Sequence, residues 1–247
     1  MVVVLATYAV GLALMALLPW EQTRLHQADP GGTTSVRRVL TTPFLLAAGL
    51  AVVSFIALTL VVNFLQIYSV GTFHGTPAEA GYVIGVARAT MLVAGFALGG
   101  TVDRWRPARA SPFGFGFIAL GAFGTLFSSS YLEMVGATLV FATGIGWLSA
   151  ALLPMALEST PVPLQGAAVG VFGSFEDLGL LIGPVVISAS YATYGNASIF
   201  ILVGAISVAA ALLPLLWVRL AHRGGRARSD GARASHASAM SRSGKEP

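Results

Sequence analysis

The chain has 247 residues, 55% of them hydrophobic and only 10% charged, with a formal net charge of +4. Soluble domains carry about 25% charged residues, so this composition excludes a water-facing globular surface and points to the membrane class. It also contains no cysteine, which excludes disulfides, thiol catalysis and cysteine metal sites.

Apolar runs of about 20 residues, the length needed to cross a bilayer core, fall at roughly 1–20, 43–70, 80–100, 112–129, 132–155, 166–191 and 197–219. They predict an all-α polytopic membrane protein with about seven transmembrane helices. Residues 1–20 form the first span, 21–42 a cytoplasmic linker, 43–220 a six-helix bundle and 221–247 a disordered basic cytoplasmic tail. The first run lacks a basic n-region and a small-residue cleavage site, so it reads as a span and not a signal peptide.

The second run is long enough to be tilted or partly loop. Its Asn63 and Gln66, at i and i+3, are candidate substrate hydrogen-bonders or packing-face amides. In the third run, Arg88 stands nine residues beyond Glu79, hence about 13 Å along a helix. A central arginine costs about 2.5–3.5 kcal/mol on insertion scales, so it needs water or a partner. Transport coupling and pairing inside the bundle are both open to it.

The sixth run holds Glu176 and Asp177, about ten residues from Gly166 and so about 15 Å deep. Adjacent helical residues point about 100° apart, so at most one squarely faces a central cavity. A carboxylate able to take up a proton there is what a proton-coupled carrier needs; a bond to Arg88, or a helix that starts late near water, are the alternatives. The Gly-x-x-x-Gly spacing occurs at Gly81/Gly85, Gly95/Gly99, Gly166/Gly170 and Gly179/Gly183, where small residues let membrane helices approach closely. Pro184 frees a carbonyl and is a candidate kink.

Orientation follows from the basic residues. All fourteen except Arg88 lie in loop 21–42, in loop 101–111, or from Arg219 onward. The positive-inside rule makes that side, and the carboxyl terminus, cytoplasmic. Other function classes lack their residues. The one lysine, Lys245, is in the tail, so no span offers a retinal Schiff base. The four histidines are scattered singly, and no phosphate-cradling Gly-rich loop exists. Nothing points to an enzyme, a cofactor, a metal or nucleic acid.

Three stretches resemble the carboxyl-terminal half of a major facilitator superfamily transporter. "GGTVDRWRP", Gly99 to Pro107, is similar to the family's cytoplasmic loop motif Gly-x-x-x-Asp-Arg-x-Gly-Arg-Arg; Gly99, Asp103 and Arg104 match, while Arg106 replaces the second glycine. "NFLQIYSVGTFHGTPAEAGYVIG", Asn63 to Gly85, resembles the junction of the seventh and eighth helices. "ESTPVPLQGAAVGVFGSFEDLGLLIGP" resembles the loop and eleventh helix, with Gln165 where an arginine is usual. Gly179, Gly183 and Pro184 also fit the start of the family's antiporter motif, but Ile187 and Ser188 replace its last glycines.

On this register the chain spans the family's sixth to twelfth helices, and the resemblance implies a bundle that works with an amino-terminal half, supplied separately or by a homodimer partner. Because Met1 lies directly in an apolar run, a fragment or mis-started reading frame is the expectation. The implied function is secondary active transport of a small molecule, with proton-coupled export or exchange in the bacterial plasma membrane. Arg88 with Glu176 or Asp177 would be the charge machinery, and Gly99, Asp103 and Arg104 the inner gate. The rival reading is a membrane scaffold, receptor or inactive remnant that transports nothing.

Overall fold

The computed structural model describes residues 38–216, and every regular element among them is helical. The predicted first span, most of the linker and the basic tail lie outside the described residues. The helices are α1 (Thr42–Thr59), α2 (Leu65–Phe73), α3 (Pro77–Trp105), α4 (Pro107–Leu126), α5 (Tyr131–Leu157), α6 (Gln165–Tyr194) and α7 (Asn196–Leu216). A π-helical segment, Leu60–Phe64, joins α1 to α2 without a break, so the long second run is one continuous helix. Together they make six helical passes.

Among the described residues, five helices are long and apolar enough to cross a membrane: Thr42–Thr59, Pro77–Trp105, Tyr131–Leu157, Val162–Tyr194 and Asn196–Leu216. The sixth pass, α4, is also 20 residues long but carries Arg109, Ser111, Pro112 and four glycines. It begins five residues before the apolar run at 112–129 because Pro107 suits a first helical turn, where no N–H is needed.

The turns follow from short polar signals. Thr41 caps α1 by accepting from the Phe44 N–H at 3.4 Å, and its Oγ1 lies 3.1 Å from the Ser159 hydroxyl just beyond α5. Thr76 and Glu79 form a reciprocal capping box at α3, with the Thr76 N–H donating to Glu79 Oε2 at 2.6 Å. Ser130 caps α5 by accepting from the Glu133 N–H at 3.3 Å. Only Arg106, at φ 66, separates α3 from α4.

The bundle is built around α5. Its apolar span is 61% buried, against 17% for α3 and 22% for α6. α4 and α3 pack on α5, and α6 packs on α1. Where these helices cross, side chains are absent. A Cβ on Gly144 would sit 2.6 Å from the Gly114 carbonyl, and one on Gly121 would sit 2.5 Å from the Phe141 nitrogen. The absence of Cβ thus lets backbones touch, which replaces hydrophobic drive as the means of association in lipid. An aromatic group of Phe64, Tyr68 and Phe200 binds the far end of the first pass to α7, with Tyr68 and Phe200 centroids 4.8 Å apart.

Of the four predicted glycine pairs, Gly179/Gly183 makes a close crossing: the positions face Val52, Phe55 and Thr59 of α1. Gly95 makes moderate contact with α5, while Cβ atoms on Gly81, Gly85, Gly99, Gly166 and Gly170 would meet nothing within 4 Å. Those five lie on the weakly buried helices α3 and α6. Pro184 does not interrupt α6, which stays helical from Gln165 to Tyr194.

Candidate functional site

A cavity of about 300 Å³ opens between α1, α3, α5 and α6. Its walls are apolar, with Phe55 and Leu58 from α1, Met91 and Leu92 from α3, and Ile145 and Leu152 from α5. Four polar side chains enter that lining: Ser54, Arg88, Ser149 and Glu176.

Each polar group is placed by the packing of its own helix. On α6, Phe172, Gly179, Gly183 and Ile187 are buried, and they repeat at helical spacing. Glu176 falls on that same stripe, one turn before Gly179. The close seat of Gly179 and Gly183 on α1 therefore carries Glu176 inward beside Phe55, half-buried. Asp177, turned about 100° away, is exposed and is not part of the lining.

On α3 the buried stripe is Ala80, Val83, Ala87 and Ala94. Arg88 and Met91 lie at its margin, toward α5. There Gly146 lets the helices meet: a Cβ on it would run into the Met91 carbonyl and come within 3.1 Å of the Gly95 nitrogen. That crossing brings Arg88 to the cavity next to Ser149, whose hydroxyl donates back to the Gly146 carbonyl at 2.7 Å. Ser54 is buried in the α1 wall. A cation and a carboxylate thus border one open cavity with apolar walls, Arg88 exposed and Glu176 half-buried.

The other candidates lie elsewhere. Asn63 sits in the π-helical segment and is exposed. Gln66 lines a separate groove of about 490 Å³ with Ile67, Val70 and Pro77, at the turn from α2 to α3. Neither amide borders the cavity that holds Arg88 and Glu176. Gly99 is half-buried on α3, and Asp103 and Arg104 are exposed in its last turn. Arg104 is there beside the negative end of the helix dipole, a favourable position.

Of the four polar side chains in the lining, Ser54 and Ser149 are not singled out by sequence alone. A lone serine in an apolar run says little, because its hydroxyl is usually satisfied by its own helix. For Ser149 a weak signal did exist, since it follows Gly144 and Gly146 in a small-residue stretch typical of helix crossings.

A family model of the Major Facilitator Superfamily matches residues 1–175 and also residues 47–243. No curated protein matches the chain.

Proposed function

The chain belongs to the Major Facilitator Superfamily, a family of membrane transporters of small molecules, and from that premise we propose proton-coupled export as its particular activity. The observation that carries this reading is the convergence of Arg88 and Glu176 on one cavity among α1, α3, α5 and α6. Glu176 is the proton carrier. Arg88 is the cation on the facing helix, and proton release and uptake follow the changing separation of the two groups as the bundle rocks. Apolar walls of Phe55, Leu58 and Met91 suit an amphipathic small molecule, oriented by the charged pair.

The weakly buried faces of α3 and α6 support a second element of the reading, that these helices meet an amino-terminal half of the transporter. Their open glycines, Gly81, Gly85, Gly166 and Gly170, leave room for close approach by other helices. Asp103 and Arg104 at the end of α3 act as the gate on the cytoplasmic side.

The test is flux. Proteoliposomes carrying the full chain, alone and co-expressed with an amino-terminal half, are given an imposed pH gradient and a panel of amphipathic fluorescent dyes. Dye movement that collapses when the gradient is dissipated supports the reading. Absence of movement in both preparations, for every dye in the panel, sinks it.

A further inference from the structure

We propose that the arginine-bearing end of α4 and the groove running down from it bind one anionic glycerophospholipid, headgroup on the arginines and an acyl chain along the helix. Two adjoining recesses carry this. The first, about 410 Å³, is lined by Arg104, Trp105, Arg106, Arg109 and Phe113. The second, also about 410 Å³, is lined by Phe113, Gly116, Phe117 and Leu120 of α4 with Ala211 and Leu215 of α7. They meet at Phe113, which belongs to both.

The headgroup recess concentrates positive charge. Three arginines line it: Arg104 from the last turn of α3, Arg106 from the link between the helices and Arg109 from the first turn of α4. Arg106 and Arg109 stand at the positive end of the α4 dipole, in a first turn with no acidic residue and no side-chain cap. Two cations there are unfavourable without an anion, and guanidinium binds phosphate oxygens in a forked geometry. The floor is aromatic: Trp105 and Phe113 centroids are 5.2 Å apart, and Trp147 lies 6.2 Å from Trp105. Trp147 is fixed by donating its indole N–H to the Ala110 carbonyl at 2.9 Å. Tryptophan beside arginine is the composition of a membrane–water interface.

The second recess matches an acyl chain in chemistry and length. Arg109, Phe113, Gly116, Phe117 and Leu120 repeat at helical spacing, so one stripe of α4 runs from charge to hydrocarbon. From Arg109 to Leu120 is about 16 Å of helix, close to half of a core about 30 Å thick. Gly116 keeps the groove open, since a Cβ there would meet no atom within 4 Å. Charge complementarity above and a leaflet-deep apolar groove below select a two-part ligand over a free anion. The inference is independent of whether the chain moves protons.

The purified full chain is reconstituted in nanodiscs of equimolar phosphatidylglycerol and phosphatidylcholine, and retained lipids are counted by native mass spectrometry. Wild-type chain retains phosphatidylglycerol over phosphatidylcholine by about tenfold, the scale expected of a few arginines at a lipid surface. In Arg106→Gln/Arg109→Gln that preference falls to parity. In Gly116→Leu retention of both lipids falls, with thermal unfolding unchanged. Equal retention of the two lipids by wild type overturns the proposal. So does displacement of phosphatidylglycerol by millimolar inorganic phosphate together with wild-type retention by Gly116→Leu, which would make the site one for free phosphate.

Discussion

Arg88 on α3 and Glu176 on α6 line one cavity, while Asp177, the next residue, lies outside it. Neither helix owes its place to the other, because α3 packs on α5 and α6 on α1. The charged pair is thus assembled by two separate glycine crossings, Gly146 on one side and Gly179 with Gly183 on the other. A movement at either crossing changes the distance between the charges.

The two neighbouring carboxylates should therefore behave differently. Glu176→Gln removes the group in the cavity and is expected to lower pH-gradient-driven dye flux by about tenfold or more, while sparing exchange. Asp177→Asn should keep wild-type flux within about twofold, since its side chain is not part of the cavity lining. Vesicle flux with and without the gradient reads both. Loss of driven flux in the Asp177 variant alone would assign the role to the wrong residue.

The absence of cysteine makes single-cysteine variants direct probes of this cavity. Ser149→Cys, in the lining, is expected to react with a charged methanethiosulfonate in membranes. Leu120→Cys, exposed on the outer side of α4, should react slower by roughly tenfold or more, because a thiolate needs water to form. Labelling rates followed by mass spectrometry decide the matter, and equal rates would mean that the cavity holds no water.

At the glycine crossings, contact and not spacing should set the cost of substitution. Gly144→Ala puts a methyl group 2.6 Å from the Gly114 carbonyl and 2.8 Å from Ile118, and should destabilise by about 1–3 kcal/mol. Gly85→Ala meets nothing and should gain about 0.5–1 kcal/mol in helix propensity. Unfolding of each variant in mixed micelles with increasing dodecyl sulfate gives the comparison.

Spacing alone marks Gly85 and passes over Gly144, and the reason is physical. A glycine's importance lies in the atom opposite, which comes from a helix remote in sequence. The same holds for Glu176 and Asp177. Periodicity put them about 100° apart, but only the seat of Gly179 on Val52 and Phe55 decides which one turns inward. What was legible came from local chemistry. The apolar runs located the passes, and the Thr76–Glu79 and Ser130–Glu133 pairs mark helix starts that the runs placed within a few residues. The π-helical segment left no sign, since Leu60–Phe64 reads as ordinary apolar helix around Asn63.

The turn between α3 and α4 offers a further test. Arg106 holds φ 66 where the resembling loop motif carries glycine. A non-glycine residue in such a conformation costs about 1–3 kcal/mol, and glycine adopts positive φ freely. Arg106→Gly is expected to raise stability by about 1 kcal/mol, and Arg106→Ala to leave it unchanged or lower it. Thermal unfolding in detergent measures both; a gain for alanine equal to that for glycine would mean that the backbone is not the source.

The π-helical turn between α1 and α2 is a store for one surplus residue. Its i+5 hydrogen bonds, such as Leu65 N–H to the Leu60 carbonyl, lodge about one residue more than an α-turn holds while leaving the flanking turns in phase. Deleting one residue within 60–64 should therefore let the wide turn tighten, with Leu65, Tyr68 and Ser69 still facing inward. The same deletion in the middle of α3 would swing every later side chain by about 100°. Length variation in the first pass is thus permitted at this turn, without the bundle losing its alignment.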